Sequence, residues 1–415
     1  LTTDDRYNIV SCLIDNGSWA FGMAFFSTTS IIPAFLSKLG AGSVIVGLVP
    51  AIMILGVCLP GTFVAGHIER MPIARKWLFP MATLERIPLL LIGILSLCIN
   101  QHSALIGAFL VLIGLYSLLA GLNQPAYWKV IGKSIPTSWR GRLYGYSGLT
   151  GGILGFGVLP MTEFFFRHFS KQIIHGFGWC FIAGAGIVLV GFLPLGFVRE
   201  PISVPTEHKE AKAVNLEYFH EIWKSSQGFR KFILAMSLLS VWSIASPFYM
   251  LDAIKRQHVA TAEIALYTSI GVITSAFGSW LCGLISDRTG NRSVIVVAST
   301  AAFVASTLAL LSINQTMLAF VFAFAAFAAA GIGLGAPLIA MEFAGSENDI
   351  PHYIGFYNLS NAAVQSVVLI GGGILSENLN FFPVFSISAI AAAVSILFTF
   401  RLSEPRHISA SFEAK

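Results

Sequence analysis

Cys282-Gly-Leu-Ile-Ser-Asp-Arg-Thr-Gly-Asn-Arg292 stands between two long apolar segments, and a similar device occurs 218 residues earlier as Ala65-Gly-His-Ile-Glu-Arg-Met-Pro-Ile-Ala-Arg-Lys76. In the later copy Asp287 precedes Arg288, and Gly283 lies four residues before the acid. The earlier copy keeps the acid-base step as Glu69-Arg70, with Ala65 where the glycine would be. A charged turn that ends one apolar run and begins the next reads as a short hairpin between two membrane spans. Its repetition reads as a chain built in two halves.

Composition agrees. The 415 residues are 55% hydrophobic and only 11% charged, and the mean hydropathy is +0.77, far from the usual soluble balance. A helix rising 1.5 Å per residue needs about 20 residues to cross roughly 30 Å of hydrocarbon. Runs of that length predict twelve spans: 8–37, 43–67, 77–99, 103–128, 143–166, 177–198, 231–252, 262–286, 293–313, 316–341, 353–377 and 381–400. A soluble enzyme with buried helices would need polar faces on most of them, and few have one.

Lys and Arg near span ends are retained on the cytoplasmic side. With both termini inside, nineteen of the 25 basic residues fall there, five (Lys38, Arg167, Lys171, Lys255 and Arg256) fall outside, and Arg86 lies within a span. Topology therefore accounts for the net charge of +5 without a nucleic-acid partner. The five cysteines lie in or beside spans, with no CxxC and no histidine cluster, so no metal or other cofactor is expected. The first span is too long, and too polar at Asp15 and Asn16, for a cleavable signal core. Leu1 in place of Met reads as a trimmed start.

The expected organisation is a first six-helix bundle over 1–198, a polar cytoplasmic linker over 199–230, a second bundle over 231–402 and a cytoplasmic tail over 403–415. Within the linker, Leu216–Trp223 reads as a short helix lying on the membrane surface. Two further repeats support the duplication. Gly141-Arg-Leu-Tyr-Gly-Tyr-Ser147 opens span 5 as His352-Tyr-Ile-Gly-Phe-Tyr-Asn358 opens span 11, and Arg199-Glu200-Pro201 follows span 6 as Ser403-Glu404-Pro405 follows span 12.

These residues resemble the major facilitator superfamily, whose signature after spans 2 and 8 reads Gly-x-Leu-x-Asp-Arg-x-Gly-x-Arg. Gly283, Ile285 in place of Leu, Asp287, Arg288, Gly290 and Arg292 fall on it; the earlier copy keeps Glu69, Arg70 and a basic end at Arg75-Lys76. Within the superfamily the chain is most similar to little-characterised bacterial carriers with Asn-x₆-Asp in helix 1, here Asn8 and Asp15. The resemblance implies an all-α membrane fold of twelve helices in two pseudo-symmetric six-helix bundles, in a bacterial inner membrane, as a monomer. It also implies that the hairpin acids stabilise one conformation by touching the other lobe.

Local physics supplies a reason, because an acid near a helix N-terminus gains roughly 0.3–1 kcal/mol. Spans 5 and 11 begin on the face that carries the hairpins, so Asp287 is expected to latch span 5, helped by Arg140 and Arg142, and Glu69 to latch span 11. Arg70, Arg288 and Arg292 complete this expected cytoplasmic gate. The plainer reading of all of them is topological anchoring.

Ionisable groups inside a span are costly and usually functional. Asp15 lies about eight residues into helix 1, while Glu85 and Arg86 lie roughly 14 Å deep in helix 3. Neighbouring residues point about 100° apart, so Glu85 and Arg86 are not expected to share a face. Asp15 is the first candidate for proton coupling; pairing with Arg86 in a structural role is the alternative. Arg86 is left with three readings: neutralising Asp15, binding an anionic substrate group, or holding the first lobe together. Glu163, Asp252 and Glu377, near the outer ends, are expected to be water-exposed.

Polar stripes predict a water-filled cavity between the lobes. Asn358, Asn361 and Gln365 line one face of span 11, and span 5 offers Tyr144 and Ser147. Asn123, Gln124 and Tyr127 come from span 4, Asn16 from span 1, and Trp242 and Tyr249 from span 7. Bonding between helices is the alternative use of such groups. Aromatics with amides and few charges suit a small, uncharged, amphipathic organic solute. With no catalytic motif, the expectation is a secondary carrier and no enzyme: proton-coupled export by alternating access, with sugar- or peptide-like nutrient uptake, lipid flipping and a non-transporting receptor as alternatives.

Overall fold

The computed structural model describes residues 2–202, 220, 222–224, 227–311, 314–344 and 350–401; within these, the side chains at 62, 137, 138, 140, 141, 144, 145, 149, 262, 350 and 351 are not among those described. The described residues form helices and turns and no strand. Most of the linker and the whole tail over 403–415 lie outside the description.

Span 2 is Ser43–Arg70, span 3 Arg75–Cys98, span 4 His102–Ser134 and span 6 Ile173–Gly191, closed by a 3₁₀ turn at Leu193–Phe197. In the second lobe, span 8 is Ile264–Thr289, span 9 Asn291–Leu311, span 10 Gln315–Glu342, span 11 Ile350–Leu379 and span 12 Phe382–Phe400. Three expected continuous spans are broken. Span 1 is Thr3–Ala24 plus Ile31–Lys38, span 5 is Thr137–Gly155 plus Val158–His168, and span 7 is Gln227–Ser240 plus Phe248–Arg256 across a 3₁₀ turn. Proline explains the breaks: its ring excludes a helical carbonyl four residues back and it has no N–H to give. Pro33 and Pro160 each stand third in the outer piece of their span, and Pro247 immediately precedes Phe248.

Among the described residues, eleven segments are long and apolar enough to cross a membrane. Span 1 is not among them: beyond its charged first turn, Asn8, Ser11, Asp15, Asn16 and Ser18 keep its longer piece polar. The freed backbone at its break sits beside linked hydroxyls, with Ser30 Oγ donating to Ser27 Oγ at 2.8 Å and Ser27 3.0 Å from Thr29.

Lipid gives helices little reason to associate, so close backbone approach matters. Gly93 and Gly178 bring spans 3 and 6 together, a Cβ on either lying within 3.1 Å of the other's carbonyl oxygen. The described part of the linker also packs on protein: Ile222 is buried and Trp223 stacks on Phe356 at 6.0 Å. The expected membrane-surface placement is thus not seen for these two residues, which join the aromatic cluster of Phe229, Phe232 and Tyr357.

The bundle has a hairpin face, which carries both charged turns, and a far face. Towards the far face one continuous apolar core joins the lobes, including Phe25, Phe35 and Phe181 of the first and Phe248, Tyr249 and Phe322 of the second. Towards the hairpin face the cores separate. Ile9, Ile68, Leu78 and Val130 belong to one cluster, and Phe229, Phe232 and Ile339 to another.

Candidate functional site

Asp15, Glu85 and Arg86 are 5%, 4% and 4% exposed and meet inside the first lobe. Arg86 Nη2 lies 3.5 Å from Asp15 Oδ1 and Nη1 lies 3.9 Å from Glu85 Oε2. The expectation that Glu85 and Arg86 would not share a face is corrected here. Their Cβ atoms diverge, but the arginine is long enough to fold back, donating from Nη1 to the Ala82 carbonyl at 2.8 Å. Its Nε donates to the Val188 carbonyl at 3.2 Å, and the rings of Phe192 and Trp19 lie 4.5 and 5.2 Å from its guanidinium carbon. Arg86 therefore fastens spans 1, 3 and 6.

Span 4 supplies the polar partners on one face, one turn apart. Asn123 Nδ2 donates to Glu85 Oε2 at 2.9 Å, and Tyr127 Oη donates to Asn16 Oδ1 at 2.8 Å. Asn16 in turn donates to the Cys12 carbonyl at 2.9 Å. Among the described residues, the buried Asn123 Oδ1 and Asp15 Oδ1 have no hydrogen-bond partner.

The remaining cavity candidates divide. Gln124 and Asn358 are exposed although they lie well within spans, and Gln365 is half-buried. Asn361 is tied to span 7 through Ser240 Oγ, and Ser147 is buried. Trp242 packs among Ala301, Ala302, Ala328 and Ala392, while Tyr249 is buried against Phe385 and Phe322, its hydroxyl 3.4 Å from Ser306. The side chains of Tyr144 and Arg140 lie outside those described.

Both hairpins are tied to their own lobes. Arg75 donates to the Val198 carbonyl at 2.7 Å, at the end of span 6. Arg292 does the corresponding task at the end of span 12, donating to the carbonyls of Thr399 at 3.1 Å and of Phe400. Two further groups were not singled out by the sequence. Lys129 Nζ donates to the carbonyls of Ile68, Glu69 and Met71, closing the C-terminus of span 2. Glu200 accepts from the backbone N–H groups of Ala74 and Arg75 and pairs with Lys133 at 2.6 Å. The repeated Glu-Pro after spans 6 and 12 was the available signal for Glu200. The side chains of Glu69, Arg70, Asp287 and Arg288 are exposed, as is Arg142, which lies over Trp139; a Cβ on Gly283 would meet nothing within 4 Å.

Two antiparallel seams join the lobes towards the far face. In one, Gly152 and Gly155 of span 5 lie so near span 8 that a Cβ would be 2.7 Å from Ala276 and 2.4 Å from Val272. In the other, Gly47 of span 2 approaches the Leu369 carbonyl of span 11, and Glu377 Oε2 accepts from the Val44 N–H at 3.1 Å. Thr268 also donates to Ser30 at 2.8 Å across the lobes. Asp252 is a correction to the exposed expectation: it is buried and paired with Arg256 at 2.8 Å. Among the described residues no group of three or more His, Cys, Asp or Glu side chains is placed to hold a metal.

Residues 231–415, which span the second lobe and the tail, match the family model described as Major Facilitator Superfamily. The match covers the second half of the chain, and it is that half which is similar to the superfamily in sequence. The chain's apolar helices are those of a multi-pass membrane protein. No curated protein matches it. Solved structures carry the same fold over nearly the whole length. A D-xylose-proton symporter is 15% identical with a TM-score of 0.71, covering 96% of this chain and 98% of its own. The nucleoside transporter NupG, as its D323A mutant, is 12% identical with a TM-score of 0.67, covering 95% and 98%. A bacterial homologue of the human lysosomal transporter Spinster, inward-facing and unoccupied, is 14% identical with a TM-score of 0.64, covering 96% and 95%. At these identities the likeness speaks for the fold of this chain, and its chemistry has to come from its own side chains.

Proposed function

We propose that this chain is a proton-coupled secondary carrier of the major facilitator kind, in which Asp15, Glu85 and Arg86 hold the coupling proton and an uncharged amphipathic solute binds between the lobes. The observation that carries this is a charge count. Two carboxylates face one guanidinium where each is at most 5% exposed. A buried, uncompensated charge costs several kcal/mol, so one carboxyl is neutral unless a cation joins it. Arg86 lies nearer Asp15, leaving Glu85 as the acid that takes the proton. Asn123 suits both states: its N–H₂ serves the charged carboxylate, and a half-turn of the amide offers the unpartnered Oδ1 to a protonated one.

On this reading the hairpin face is cytoplasmic and the lobes are parted there, consistent with the split apolar cores. Gln124, Asn358 and Gln365, with Asn16 and Tyr127 beside the acid cluster, suit hydrogen bonding to a neutral solute. Asp287 and Glu69 latch spans 5 and 11 when the cytoplasmic side closes. The span 5–8 seam supports this for Asp287: continued inward from Gly155–Val272 and Gly152–Ala276, the register pairs position 145 with Gly283 and position 141 with Asp287. Glycine-dense span 5 resembles the antiporters of the superfamily in part, and we assign export in exchange for protons.

The test uses proteoliposomes holding a pH-sensitive dye, challenged with a panel of neutral amphipathic solutes that includes an aromatic amide such as chloramphenicol. An inward proton gradient should drive solute outward. Glu85→Gln should abolish solute-dependent proton movement while solute counterflow continues. Proton movement unchanged in Glu85→Gln, or solute flux indifferent to the gradient, overturns the proposal.

A further inference from the structure

We propose that Glu377 is a far-face latch that alternates, on the same helix pair, with Glu69 at the hairpin face. The inference rests on alternating access, and on none of the proton chemistry above.

Span 2 starts without a cap of its own. Gly42 occupies its N-cap position, and no side chain there bonds the first turn. N-termini of helices leave N–H groups without helical partners and favour negative charge. Here the charge arrives from the other lobe, 333 residues along the chain, as Glu377 Oε2 accepts from Val44 N–H at 3.1 Å. Glycine leaves the carboxylate room, because a Cβ at 42 would lie 2.9 Å from both carboxylate oxygens of Glu377 and push that flexible side chain aside. The acid is also misplaced on its own helix. It stands in the last turn of Ile350–Leu379, where the helix dipole disfavours a negative charge. Contact with the start of span 2 relieves both ends at once.

The surrounding seam is close-packed. Gly373 approaches Val44 Cα, where a Cβ would lie at 2.7 Å, and Ser366 Oγ reaches the Ala51 carbonyl at 3.5 Å. Spans 2 and 11 are thus an antiparallel pair, each with an acid near its C-terminal end; the start of span 2 lies beside Glu377, and the same register continued to the hairpin face brings Glu69 level with the start of span 11. Glu377 holds the start of span 2 in this structure, while the side chain of Glu69 is exposed. Rocking of the lobes exchanges one helix cap for the other, so that neither end state is left without one.

Hydrogen–deuterium exchange on the intact chain in nanodiscs, with no solute and no pH gradient, tests the latch separately from proton coupling. Glu377→Gln should raise exchange over the outer pieces of spans 1 and 7 and lower it at the starts of spans 5 and 11. The ratio of the two populations should shift by roughly two- to fivefold, the range for one charged helix cap. Gly42→Ala, which displaces the carboxylate without removing it, should act in the same direction, and Glu377→Asp should restore part of the wild-type pattern. A change confined to residues 42–47, or none, overturns the proposal.

Discussion

Gly155 of span 5 lies against Val272 of span 8 so closely that a methyl group on it would come within 2.4 Å of Val272 Cγ1. Two turns nearer the hairpin face, Gly148 has nothing within 4 Å. The two glycines therefore report opposite ends of one hinge. Gly155→Leu should wedge the far-face seam and favour the state open at that face. Gly148→Leu should be accommodated here but resist closure at the hairpin face. Thiol-accessibility measurements on both faces should move in opposite directions for the two variants; movement in the same direction would show that the seam does not part as described.

The same register explains why the hairpin motif needs a glycine at 283, which has open space here but falls in the seam when it is continued inward. It also predicts an asymmetry. Asp287→Asn should reduce occupancy of the state closed at the hairpin face by roughly two- to fivefold, the range for a lost charged cap, and Glu69→Gln should have the smaller effect. Glu69 belongs to the copy lacking both signature glycines, so its helix cannot approach as closely. Distances between spin labels on the hairpin face would check the order, and an equal or reversed order would count against glycine as its cause.

Span number and the charged hairpins were legible because apolar length and terminal charge are local signals. Asp15, Glu85 and Arg86 were legible for a related reason, as the ionisable groups deepest in spans. Their convergence was not: whether Arg86 turns back towards Ala82 depends on carbonyls and rings contributed by spans 1 and 6. A tyrosine or tryptophan in a span reads alike whether it faces water or protein, and Tyr249 lies between Phe385 and Phe322. Glu377 carried no local sign of its role, because the cap missing at Gly42 belongs to a distant segment.

Charge counting in the acid cluster yields a stability series. Asp15→Asn or Glu85→Gln alone leaves one acid against Arg86, a neutral pair, and should be tolerated. Arg86→Met leaves two buried acids, and Asp15→Asn with Glu85→Gln leaves a lone buried cation. Each of these two should lose about 3–5 kcal/mol, the cost of a broken buried pair. Adding Asp15→Asn to Arg86→Met should recover part of that loss. Thermal unfolding in detergent measures the series, and equal destabilisation by the single acid variants and the double variant would contradict the count.

Lys129 makes the last case, since its one ammonium group accounts for three carbonyls at the end of span 2, at 2.8, 2.8 and 2.7 Å. The last carbonyls of a helix lack a full set of helical partners, although Ile68 also accepts from Met71 N–H at 3.1 Å, and the negative helix end favours a cation. Lys129→Met keeps much of the side-chain bulk but removes every donor. Hydrogen bonds to charged groups are worth about 1.5–3 kcal/mol, so the variant should lower thermal stability and speed exchange across 65–76. Lys129→Arg should retain most of both. The Arg292 cap on span 12 lies in the other lobe and should be indifferent to either change. Loosening that spread equally to 282–292 would mean that Lys129 supports the whole bundle and not the first hairpin alone.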